Sequence, residues 1–163
     1  MSRGWLAAAV AAIGVGASAP APAADGQAVF QDNCVVCHQA NARGAPGFIP
    51  PLADTLGNYL HVSGGEYYLA NVLTNGLVGR ISVSGGTYDS NMPSFAGQLS
   101  HGEIAAVLDY VLRHFNADSL PEEYRTLTAE RVAALADEDL TANDMHARRG
   151  ELIGRLGEEG LKR

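Results

Sequence analysis

The chain has 163 residues, which suits one domain with short appendages. It is 47% hydrophobic, enough for a core, while 19 glycines and 7 prolines foretell much loop. A net charge of -7 argues against a nucleic-acid partner and favours one with a positive patch, or one that docks through apolar contact.

Residues 1–23 read as a signal peptide. Met1, Ser2 and Arg3 form a short positive start, residues 5–15 an apolar stretch, and Ala21, Pro22 and Ala23 an A-x-A cleavage site. The run is too rich in alanine and glycine to make a good permanent span. Cleavage before Ala24 or Asp25 removes Arg3 and Trp5, leaving 10 basic and 18 acidic residues, a net charge of -8. The mature protein is therefore expected in the periplasm.

The elements that follow are expected to be helical, joined by long loops. Residues 25–36 form a first helix with Val29, Phe30 and Val36 as its apolar residues. Residues 39–51 are a Gly/Pro loop. Residues 65–75 form a helix with Tyr68, Leu69, Val72 and Leu73 on one face and Gly76 as its terminator. Residues 81–88 alternate and then turn, fitting a short hairpin or irregular loop. Met92, between Asn91 and Pro93, falls in a loop. Residues 100–115 carry the clearest pattern: Ser100 and Glu103 make a capping box, and Ile104, Val107, Leu108, Val111, Leu112 and Phe115 repeat at helical spacing. Beyond Asn116 the chain holds 11 acidic and 7 basic residues and few large apolar ones. Residues 117–163 therefore read as a peripheral polar extension of short helices near 128–135 and 141–156, attached to a domain spanning 24–116.

The two cysteines of the chain are Cys34 and Cys37, and His38 follows directly. This C-x-x-C-H spacing suits covalent haem attachment: the two thiols add to the two haem vinyl groups, and the adjacent histidine falls against the iron as proximal ligand. A thioredoxin-like site needs a βαβ context that is missing, and a zinc site needs further ligands that no second cysteine pair supplies. For the opposite axial position, the mature chain offers Met92, Met145, His61, His101, His114 and His146. Met92 is the leading candidate. Its thioether is a soft ligand that favours Fe(II), Pro93 stiffens its loop, and it lies 54 residues after His38, enough to reach the other haem face. His61 is the best rival.

These features resemble the class I c-type cytochromes, the bacterial monohaem family with His/Met ligation. Gly26, Phe30 and Cys34 repeat its G-x-x-x-[FY]-x-x-x-C spacing, residues 44–52 are similar to its G-x-P-G-x-F-P-P-L loop, and residues 92–95 to its M-P-x-[WF] loop. The resemblance implies an all-α fold of three to five helices around one covalently bound haem c, with a C-terminal extension added here. It implies that Gly26 and Phe30 meet Val107 and Tyr110 where the first and last helices cross. It also implies that a loop proline, Pro50 before Pro51, offers its carbonyl to His38. The family's propionate-binding tryptophan is absent from the mature chain; Tyr59, Tyr67, Tyr68, Tyr88 and Arg80 are the candidates to replace it. With 3 arginines and no lysine in residues 25–115, a lysine-ring docking surface is excluded.

The expected function is single-electron transfer between redox proteins, a periplasmic dehydrogenase on one side and an acceptor cytochrome or oxidase on the other. The contrasting possibility is a haem enzyme or gas sensor with an open distal position, for which His61 or His101 would supply the distal group. The apolar loop 46–52, with Ser94 and Phe95, either borders the docking face or only packs the haem.

Overall fold

The structure is a computed structural model and describes residues 24–160; the expected signal peptide at 1–23 lies outside the described residues. Asp25 starts α1 (Gly26–Asn33), its carboxylate accepting from the amides of Gln27 at 2.9 Å and Ala28 at 3.3 Å. The helix expected over residues 25–36 is broken at Cys34, and a further turn, α2 (Val35–His38), carries the chain on. The Asn33 amide side chain takes the Val29 carbonyl at 3.0 Å, competing with the backbone ladder where the break occurs. The break turns the end of the cysteine motif, so that His38 is buried while Val36 is left outside.

After the Gly/Pro loop comes a 3-10 segment, Leu56–His61, and then α3 (Gly65–Asn75), which matches its expected bounds. The hairpin is longer than the pattern foretold. Strand β1 (Leu77–Val83) pairs antiparallel with β2 (Gly86–Met92), Ile81 opposite Tyr88 and Leu77 opposite Met92. The two-residue turn has Ser84 at φ 48° and Gly85 at φ 78°, the positive pair that matches strand twist. Met92 is therefore the last residue of a strand, not part of an irregular loop, and Pro93, which has no N–H, ends the ladder.

Helix α4 (His101–Phe115) is capped as expected. Ser100 Oγ accepts from the Glu103 amide at 3.3 Å, and the Glu103 carboxylate accepts from the Ser100 amide at 2.8 Å. Its apolar stripe splits between two core clusters. Val107 and Val111 pack with Val29 and Phe30 of α1, while Ile104, Leu108 and Leu112 face Tyr68 and Leu69 of α3. Phe30 lies 5.7 Å, centroid to centroid, from Tyr110, the helix crossing that the resemblance implied.

The extension is not peripheral. Helices α5 (Ala129–Leu135) and α6 (Ala142–Gly160) fold back over α3, α4 and β1. Leu127, Val132, Met145 and Leu152 are all buried in the same core cluster as Tyr59, Leu69 and Leu112. Polar contacts fix the docking: buried Asn71 donates to the Leu135 carbonyl at 2.8 Å and accepts from the Asp137 amide at 2.9 Å. The reading of a solvated tail fails because it counted apolar residues over the whole segment. Few suffice when each one is aimed inward. The fold is otherwise the expected helical one, with a two-stranded sheet added.

Candidate functional site

Cys34 caps the start of the one-turn helix α2, Cys37 lies within it, and His38 ends it. The His38 ring turns inward, and its Nδ1–H donates to the Pro50 carbonyl at 3.1 Å. Pro50, rather than Pro51, makes this contact. That bond leaves Nε2 as the free, lone-pair-bearing nitrogen and fixes the ring plane. Burial holds the imidazole below its ordinary pKa, against a smaller opposing pull from the Pro50 carbonyl, so the ring is neutral, the form that ligates a metal. The Pro50 loop is itself held tightly. Gly44 has φ 65°, and a Cβ there would fall 2.3 Å from the Ile49 carbonyl oxygen. Only glycine fits this close return of the chain.

Cys34, Cys37, His38, Pro50 and Met92 all line one cavity of about 280 Å³. The α1–α2 break supplies the cysteines and the histidine, the Gly/Pro loop supplies Pro50, and the end of β2 supplies Met92. Leu69, Val72, Ile81, Val107 and Leu108 add apolar wall from α3, β1 and α4. The Met92 segment is anchored, because the Phe95 amide donates to the Leu73 carbonyl at 2.8 Å. Burial, and then the neighbouring Cys37, push the Cys34 thiol up to about 11, far from the thiolate a redox-exchange cysteine needs.

None of the rival axial residues lines this cavity. His61 Nε2 bonds the Ser119 carbonyl at 3.0 Å, His114 stacks on Tyr110, and His146 Nε2 bonds the Arg80 carbonyl at 2.8 Å. His101 stands exposed at the start of α4, and Met145 is fully buried in the core cluster under α6. Of the candidate propionate partners, Tyr59 and Tyr68 reach the cavity. Tyr67 instead donates to Asp137 at 2.7 Å, and Arg80 pairs with Asp89 on the surface.

The cavity lining therefore suits a largely apolar cofactor that carries a metal. Two thiols stand on its wall, a neutral imidazole with a fixed tautomer sits beside them, and a thioether enters from a different element. Residues 23–114 match the sequence profile of the Cytochrome c family, more than half of the chain. The chain belongs to the cytochrome c family.

This cytochrome is 40% identical over 129 residues to cytochrome c-552 of Thermus thermophilus, covering 79% of the chain and 97% of that protein. A second cytochrome c-552 of the same species is equally similar, over 86% of its length. The chain is also 34% identical over 124 residues to the CcoP subunit of the cbb3-type cytochrome c oxidase of Cereibacter sphaeroides, covering 72% of the chain and 40% of that protein. It is a monohaem c-type cytochrome, an electron carrier whose cofactor is covalently attached haem c. Among the described residues no helix is long and apolar enough to cross a membrane.

A charged lining residue escaped the sequence reading: Arg149 of α6. Its signal was there. Met145, Arg149 and Leu152 share one helical face at i, i+4 and i+7, and all three are buried.

Proposed function

We propose that this cytochrome carries electrons in the periplasm, between a dehydrogenase-type donor and a downstream acceptor. Cys34 and Cys37 would hold the haem by thioether bonds, and His38 and Met92 would ligate its iron. The haem supplies the one-electron Fe(III)/Fe(II) chemistry. The protein binds, orients and dries the site. Pro50 orients the His38 ring and raises its basicity as a ligand. The apolar wall would keep water off the metal and disfavour the more highly charged ferric state, while the Met92 thioether would favour the ferrous one.

The observation that carries this reading is that one cavity collects all five residues singled out by the motif and the family resemblance. The likeness to an oxidase subunit supports an oxidase-type acceptor. Phe48 is 73% exposed on the loop that delivers Pro50, and Val36 is 86% exposed between the two cysteines. This apolar rim on an acidic molecule suits a partner that docks through apolar contact. The N-terminal sequence supports export.

The test is the ferric protein matured with haem. Wild type shows a low-spin spectrum with the near-infrared band of methionine-to-Fe(III) ligation, and haem that stays on the chain through denaturing electrophoresis. Met92→Ala loses the near-infrared band, while Met145→Ala keeps it and loses only stability, about 2–5 kcal/mol for a buried methionine. If Met92→Ala keeps the band, the axial assignment is wrong.

A further inference from the structure

Among the described residues that line the cavity, Arg149 is the only permanently charged side chain; none of the others is Asp, Glu, Lys or Arg. It is 8% exposed, midway along α6. Its Nη2 donates to the Tyr59 hydroxyl at 3.2 Å and to the Ser82 carbonyl at 2.8 Å. Both acceptors are neutral. Among the described residues no carboxylate pairs with Arg149, whereas Arg43, Arg80, Arg113 and Arg131 each hold an Asp or Glu on the surface. A guanidinium stays charged at any ordinary pH, and burying one without a counter-ion is costly. Its fork has five donors, and the two bonds use one nitrogen, leaving the Nε and Nη1 hydrogens without a protein acceptor among the described residues. The side chain is largely buried while its unpartnered donors stay accessible, and a preset cation of this kind on an otherwise uncharged wall suits an anion in that space.

We propose that Arg149 binds a haem propionate, so that the C-terminal helix supplies the counter-charge of the cofactor from outside the family-matched segment 23–114. This rests on the haem reading above. The propionates are the anionic groups at the edge of a haem, and a carboxylate is the natural complement of the open side of the guanidinium. Tyr59 and Ser82 hold the fork in place from two elements, the 3-10 segment and β1. One consequence follows for redox tuning. A positive charge beside the propionate favours the ferrous centre, which carries one positive charge fewer, and so raises the reduction potential.

The experiment compares holo wild type with Arg149→Gln and Arg149→Lys at fixed pH and ionic strength. Arg149→Gln is expected to shift the one-electron equilibrium roughly tenfold toward the oxidised form, a fall of ~59 mV. Arg149→Lys keeps most of the potential, because the charge remains. The propionate-bending band in the resonance Raman spectrum moves in both variants, because lysine does not reproduce the planar fork. If Arg149→Gln does not accumulate in folded form, the Raman band of Arg149→Lys decides alone. A haem-loaded Arg149→Lys with the wild-type band, or an Arg149→Gln with the wild-type potential, overturns the proposal and leaves the haem reading standing. A wild-type protein without covalent haem overturns both.

Discussion

Gly26→Ala sets two effects of opposite sign against each other. Alanine is the better helix former, and the substitution also narrows the unfolded ensemble, together a gain of about 0.5–1 kcal/mol. Against this, a Cβ at Gly26 would lie 2.1 Å from the Ala106 carbonyl oxygen, 2.7 Å from its carbon and 2.9 Å from the Tyr110 Cβ. The two nearest atoms are backbone of α4, so no rotamer change relieves the clash. Reaching ordinary contact at 3.4 Å from 2.1 Å requires α1 to retreat by 1.3 Å. That opens the Phe30 packing on Tyr110 and Phe115, where centroids lie at 5.7 and 5.4 Å. A gap of this size forfeits a good part of the dispersion across the helix crossing, and overpacking of this kind costs about 1–3 kcal/mol, occasionally more. The steric effect therefore wins, and we expect a net loss of about 2 kcal/mol. Urea unfolding of the holo protein, followed by circular dichroism and by the haem absorbance, reads the change. With a slope of about 1–3 kcal/mol per molar, the midpoint falls by roughly 1 M. A midpoint equal to or above that of wild type would refute the close-approach argument, because propensity alone would then govern the site.

Asn116→Ala is expected to cost at least about 3 kcal/mol in the same assay. Its side-chain oxygen accepts from the Thr55, Leu56 and Gly57 amides at 2.9, 2.9 and 3.3 Å, and its nitrogen donates to the Val111 carbonyl at 3.0 Å, all in a residue 2% exposed. A chain ending at Asn116 is expected to lose cooperative unfolding and the low-spin haem spectrum. It lacks Leu127, Val132, Met145 and Leu152, each a buried side chain worth about 1.5–3 kcal/mol. A shortened protein with the wild-type spectrum would refute this. Acid weakens the caps of α4 and α6. Hydrogen bonds from the Ser100 backbone and hydroxyl hold Glu103 below its usual pKa, and those from the Thr141 hydroxyl and backbone do the same for Asp144. A carboxylate depressed in the folded state contributes stability above its unfolded pKa and loses it as pH falls through the folded one. Helical signal therefore declines from about pH 5 downward, and Glu103→Gln flattens that dependence.

Much of the site was legible because its residues are bound together by short-range rules. Cys34, Cys37 and His38 are adjacent in the chain, so their shared chemistry needs no knowledge of the fold. Helix α4 announces itself by a 3.6-residue stripe and a capping box, both local. The hairpin was under-read because Leu77, Val78 and Gly79 show no alternation of their own and are held by pairing with residues 90–92. Arg149 was missed because 7 of the 19 residues of its helix are charged, and charge is ordinarily turned to solvent.

The amino-acid order by itself settled the covalent haem motif and the packing faces of α3 and α4, since each rests on spacing within a few turns of chain; the crossing of α1 with α4 came from the family resemblance. Only the tertiary structure decided that Pro50 rather than Pro51 meets His38, that Met92 reaches the cavity from the end of a strand, and that the last helix brings a buried cation to the same space. Those facts depend on which distant surfaces meet. A sparse apolar face such as that of Val132, Met145 and Leu152 becomes a core only when another element covers it.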